Sequence, residues 1–130
     1  MITVDYRDRR PIYQQLIDKI EALIAGGFLS ADSQLPSVRQ LAVELAINPN
    51  TIQRAYAELE SRGAIYSVAG RGSFVCSSTA ELTRIKQDEL REKLAATVNS
   101  AQELGMTEAD FIRQVQELWS ARPVKGGVNK

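Results

Sequence analysis

Within five residues of one another, Asn50, Gln53 and Arg54 carry the side chains best suited to reading a nucleobase. A side-chain amide can pair two-pronged with adenine, and arginine can reach guanine or a phosphate. Ser37 and Thr51, each near a predicted helix N-terminus, can join backbone N–H groups in holding phosphates, and Arg39 lies in the first turn after Ser37. Arg71, set between Gly70 and Gly72, stands at a predicted hairpin tip, from which it could enter a minor groove. Taken singly, each has an ordinary explanation as a solvated surface group, and Ser37 is accounted for as a helix cap. Their convergence around one short turn points to double-stranded DNA.

Catalytic chemistry has little to draw on. The chain holds no histidine and one cysteine, Cys76, so triads, histidine metal sites and the commonest general base are missing. Gly70-Arg71-Gly72 lies inside a hairpin rather than before a helix and is no phosphate cradle. An enzyme is not expected, nor is a metal or cofactor. Cys76 could be a redox switch, although a small buried residue at a strand end explains it more simply.

The elements that must position these groups are written in caps and turns. Pro11 opens a helix whose apolar stripe is Ile12, Leu16, Ile20 and Leu23, flanked by Tyr13, Ile17 and Ile24, and Gly26-Gly27 stops it. Ser37 and Gln40 form a capping box for a second helix with Val38, Leu41, Ala42 and Leu45 inward. Asn48 caps a third helix, Pro49 suits its first position, and Ile52, Ala55, Tyr56 and Leu59 face the core. That register leaves Asn50, Gln53, Arg54, Ala57 and Ser61 on the outer face. Small Ala57 allows close approach. After Gly63 come Ile65–Val68 and Ser73–Cys76, joined by Ala69-Gly70-Arg71-Gly72 as a hairpin. Helix, tight turn, helix and hairpin is the order of a winged helix-turn-helix, which lays one helix in the major groove.

The C-terminal part shows no strand signal. Ser78 with Glu81 suggests a capping box for a long helix carrying Leu90, Leu94, Val98 and Ala101, ending at Gly105. Thr107 with Asp110 starts a shorter one carrying Phe111, Ile112, Val115, Leu118 and Trp119. Two helices cannot bury this double apolar set alone. A second copy of the chain across a two-fold axis is the expected remedy, since such readers use paired half-sites. The alternative is that the long helix folds back on its own domain. A small-molecule effector could sit between these helices against Trp119 and Phe111, which read equally as plain core.

Composition sets the remaining bounds. The 130 residues are 44% hydrophobic and 25% charged, as in a soluble globular protein. No apolar run approaches the roughly 20 residues of a membrane span, so no membrane association is expected. Met1–Arg10 is too polar for a signal peptide, and one cysteine fits a reducing cytoplasm. Net charge is zero, and residues 1–76 alone hold eight basic and eight acidic groups. A DNA partner therefore requires positive groups segregated onto one face. Neutrality also keeps open a winged-helix protein-interaction module without DNA binding.

Pro11-Ile12-Tyr13-Gln14-Gln15-Leu16, Leu35-Pro36-Ser37, Arg39 with Leu41-Ala42, Asn48-Pro49-Asn50-Thr51, Arg54-Ala55, Leu59, Gly63 and Gly70-Arg71-Gly72-Ser73-Phe74 together resemble the GntR family of bacterial transcription regulators, in its short YtrA-like subfamily. Pro49 and Gln53 stand where many family members carry arginine, and the Asn-Pro-Asn-Thr form matches the YtrA-like subtype. The resemblance implies a mainly α fold with a small β-hairpin. Residues 1–76 would be a winged helix-turn-helix DNA-binding domain, 77–122 a two-helix dimerisation region and 123–130 a flexible tail. The implied function is a homodimeric, sequence-specific repressor on a pseudo-palindromic operator, of the kind that controls a transporter operon.

Overall fold

Five helices and one hairpin follow in the order α1 (Ile12–Ala25), α2 (Val38–Leu45), α3 (Pro49–Ser61), β1 (Ile65–Val68), β2 (Gly72–Val75), α4 (Ala80–Glu103) and α5 (Glu108–Ala121). The computed structural model describes residues 1–121. The expected tail at 123–130 lies outside the described residues, as does Arg122 at the end of the expected dimerisation region.

One apolar core organises the first three helices and the hairpin. Leu16, Ile17, Ile20 and Ile24 of α1 meet Leu41 of α2, Ile52 and Leu59 of α3, and Val75 of β2, all essentially without solvent contact. The periodicity read from the chain is the one that packs. An N-terminal segment closes one side, with Ile2 buried and Gln15 tying it down: the Gln15 amide accepts from Asp5 N–H at 2.9 Å and donates to the carbonyls of Asp5 and Arg10, each at 3.1 Å. A buried amide with every hydrogen bond made costs little.

The hairpin pairs Ile65 with Val75 through Val68 with Gly72, antiparallel. Gly72 is thus the first strand residue, and the turn is Ala69-Gly70-Arg71, closed by Arg71 N–H donating to Val68 O at 2.9 Å. Gly70 takes φ +77°, the left-handed value this turn needs at its third position. A third segment joins the hairpin. Gln34 bridges Phe74, Leu35 N–H donates to Ser73 O at 2.9 Å, and Val75 N–H donates to Ser33 O at 2.9 Å. The stretch from Phe28 to Pro36, which carries no helix, supplies this edge.

The start of α4 differs from expectation. Thr79 occupies the cap with no side-chain hydrogen bond, and Glu81 pairs with Arg84 instead of reaching back to Ser78. What holds this end is packing on α1: Leu82 is half-buried against the core and the Thr83 hydroxyl donates to Ala25 O at 3.2 Å. The first turns of α4 therefore do lie on their own domain, while residues 87–100 are exposed. At α5 the expectation holds, with Asp110 N–H donating to Thr107 Oγ1 at 3.1 Å. No described helix is long and apolar enough to cross a membrane.

Candidate nucleic-acid interface

Two caps fix the geometry of the turn between α2 and α3. Ser37 Oγ accepts from Gln40 N–H at 3.0 Å while Gln40 Oε1 accepts from Ser37 N–H at 2.9 Å, a complete capping box. Asn48 Oδ1 accepts from Asn50 N–H at 2.8 Å, with Pro49 in the first helical position. Between them Ala46 adopts φ +55°, ψ +47°, a left-handed conformation that a non-glycine residue takes only at some cost. Ile47 N–H then donates to Ala42 O at 3.0 Å and ends α2. Two short helices are thereby held at a fixed angle by local hydrogen bonds and by their shared core.

The outer face of α3 stays open. Asn50, Gln53, Arg54, Ala57 and Ser61 are exposed and Thr51 is half-buried. Ser37 and Arg39 are exposed on the first turn of α2, and Gly70, Arg71 and Gly72 at the hairpin end. Glu58 is the first acid along α3, beyond its first two turns.

Neutral overall charge proves compatible with a cationic reading face. Asp8 and Asp18 both hold Arg10, while Glu21 and Glu58 both hold Arg62. Arg10 keeps Asp8 below the usual carboxylate range through a side-chain hydrogen bond. Asp32 is likewise held low, by the hydroxyls of Ser77 at 2.7 Å and Tyr66 at 2.8 Å. Arg39, Arg54 and Arg71, in contrast, make no ion pair among the described residues. The acids around Arg10 and Arg62 are taken up in internal pairs, whereas Arg39, Arg54 and Arg71 are left without a carboxylate.

Two participants were not singled out in the sequence. Gln34 Nε2 donates to Arg71 O at 2.7 Å and so pins the hairpin tip from a neighbouring segment. Tyr13, placed in the flank of the α1 stripe, lies under Arg54, whose Cζ stands 3.6 Å from the ring centroid. Neither contact has a local signal: the partners are 37 and 41 residues apart. Cys76 is half-buried beside Ser78 O, and burial pushes its thiol above the ordinary value, the opposite of a reactive thiolate.

Of the predicted dimerisation residues, Leu90, Leu94, Val98, Val115, Leu118 and Trp119 are exposed, Trp119 by 82%. Phe111 is half-buried, and Ala101 is buried where the chain turns from α4 into α5, its carbonyl accepting from Met106 N–H at 3.0 Å. Leu94, Val98, Phe111 and Val115 line a groove of about 590 Å³ between the two helices.

A capped helix pair with a hairpin beside it, packed on one core, is a winged helix-turn-helix. Residues 12–75 match the family model described as "Bacterial regulatory proteins, gntR family". The chain is 35% identical over 129 residues to the HTH-type transcriptional repressor YtrA of Bacillus subtilis, covering 98% of this chain and 97% of that one. Among solved structures, a transcriptional regulator from Oenococcus oeni superposes with TM-score 0.71 at 33% identity, covering 92% of this chain and 99% of the other. AraR(DBD) in complex with operator ORE1 aligns with TM-score 0.50 at 29% identity, over 58% of this chain and 93% of that one. This chain belongs to the GntR family of bacterial transcription regulators, whose members bind DNA. It is a regulator, not an enzyme.

Proposed function

We propose that the chain is a homodimeric cytoplasmic repressor that places two α3 helices in successive major grooves of a pseudo-palindromic operator. Half-sites would then lie about one helical turn, or about 34 Å, apart. The observation that carries this reading is that Arg39, Arg54 and Arg71, on α2, α3 and the hairpin tip of a capped helix-turn-helix, are exposed and have no carboxylate partner among the described residues. Asn50 and Gln53 read adenines, and Arg54 takes guanine or a phosphate. Ser37, Arg39 and Thr51 hold phosphates, with Arg71, between Gly70 and Gly72, in the minor groove. Leu90, Leu94, Val98, Ala101, Phe111, Val115, Leu118 and Trp119 form the two-fold contact. The likeness to YtrA supports repression, and the resemblance to that subfamily supports a transporter operon as its target.

The test is fluorescence anisotropy of the full chain with a duplex from its own upstream region, repeated across salt concentrations. Counterion release makes DNA affinity fall steeply with salt. Arg54→Ala and Gln53→Ala should each relax base preference, while Arg71→Ala weakens binding more evenly across sequences. Salt-independent retention, or unchanged base profiles in both helix variants, overturns the assignment and favours a protein-interaction role.

A further inference from the structure

The arginine on α3 is not a free lever. Its guanidinium lies over the Tyr13 ring on α1, Cζ 3.6 Å from the centroid, in a cleft lined also by Gln14, Ile17, Ala57 and Glu58. The one acid in that cleft is already engaged: Glu58 accepts from Arg62 Nε at 2.9 Å. Nothing among the described residues therefore draws the Arg54 fork into an ion pair, and an aromatic face is what holds it.

Stacking has a consequence for recognition. A guanidinium binds an aromatic ring through its face and donates hydrogen bonds through its edge, so the two interactions do not compete. A long arginine side chain otherwise samples many rotamers and loses that freedom on binding. We propose that Tyr13 is a positioning residue for base recognition: by holding the Arg54 plane on α1, it fixes the direction in which the N–H edge meets a guanine. The first helix, scaffold by its apolar stripe, thereby contributes to operator choice. This rests on the reading of α3 as the base-reading helix.

The experiment selects bound duplexes from a random-sequence library with the full chain and its Tyr13→Leu, Tyr13→Phe, Arg54→Ala and double Tyr13→Leu/Arg54→Ala variants. Melting curves check that each is folded. Arg54→Ala is expected to lose preference at one base pair per half-site by about fivefold or more. Tyr13→Leu should lose preference at that same pair, Tyr13→Phe should keep it, and the double variant should be no worse than Arg54→Ala. Salt dependence should stay unchanged in Tyr13→Leu, because no phosphate contact is removed. If Arg54→Ala relaxes a position that Tyr13→Leu leaves intact, Tyr13 has no positioning role although Arg54 reads bases. If Arg54→Ala changes no position, base reading by Arg54 itself falls, and the role of Tyr13 with it.

Discussion

Lys86 Nζ lies 2.9 Å from Glu21 Oε1, the same oxygen that Arg62 approaches at 3.3 Å, and the Glu21 side chain is only 5% exposed. One dry carboxylate thus joins α1 to the end of α3 and to the first turns of α4. Removing a partner from a buried charge costs more than the pair itself contributes. Lys86→Met should lower stability by about 2 kcal/mol in urea unfolding, Arg62 sparing it the full penalty. Glu21→Met with Lys86→Met should cost less than Lys86→Met alone, since no charge is then stranded and Arg62 keeps Glu58.

Ser37 has two separable tasks. Its oxygen caps α2 by accepting from Gln40 N–H, and its hydroxyl proton remains available to a phosphate. Ser37→Ala should cost about 1 kcal/mol of stability, whereas Ser37→Gly, a tolerable cap, should cost a few tenths. If the hydroxyl meets DNA, both variants weaken binding equally. Thermal melting beside anisotropy separates the two tasks, and a glycine variant that binds like the parent would remove Ser37 from the interface.

What could be read from the chain in advance was what is encoded locally. Ser37 and Gln40 are three residues apart, Asn48 and Pro49 adjacent, and the inward stripes repeat every three or four positions, so caps and core faces were legible. Tyr13 with Arg54, Gln34 with Arg71, and Glu21 with Lys86 join distant segments that nothing local marks. Ala46 in a left-handed turn defeats the usual expectation of glycine there, because the cost is met by the helices packed on either side. The Ser78–Glu81 pattern misled for the opposite reason. A local motif was available, but packing of Leu82 and Thr83 on α1 set the helix start, and Glu81 turned to Arg84.

Gly72 is held as glycine by its backbone, and a side chain there would also displace a hydrogen-bond donor. Its φ is +116°, and a Cβ there would stand 2.9 Å from Gln34 Nε2, the donor that holds Arg71 O. Gly72→Ala should therefore destabilise the hairpin by about 1–3 kcal/mol and weaken DNA binding through Arg71. Gln34→Ala alone deletes the same donor to Arg71 O without backbone strain, so it should loosen the tip but cost less than Gly72→Ala. Hydrogen exchange at Arg71 and Phe74 amides reports the loosening directly.

Tyr56 ties stability to alkaline pH. It is 4% exposed, donates to Pro36 O at 2.7 Å, and its pKa is pushed up to about 12 by burial, aided by the nearby charge of Glu44. A raised folded-state value means the contribution is whole below the unfolded value near 10 and fades as pH climbs to about 12. The loss over that window should be on the order of 2 kcal/mol. Lys86 acts in the same direction: burial opposes its charge, but the hydrogen bond to Glu21 and the charges of Glu21 and Glu89 outweigh it and raise its pKa. Tyr56→Phe should flatten the Tyr56 share of the decline while lowering stability near neutrality by about 1 kcal/mol for the lost hydrogen bond. An unchanged alkaline slope in that variant would contradict the assignment.

The proposed two-fold contact carries its own reporter. Trp119 is the single tryptophan of the sequence and is 82% exposed in one chain, so pairing should bury it and shift its emission to the blue. Dilution should reverse that shift at the concentration where sedimentation shows dissociation. Leu94→Glu places a charge in the α4–α5 groove, on a side chain 52% exposed in the single chain, and should give a folded monomer. Affinity for a single half-site should then be retained, while affinity for the full palindrome should fall about 100-fold or more, because the second reading head no longer arrives tethered. A Leu94→Glu chain that still sediments as a dimer would move the contact elsewhere on the molecule.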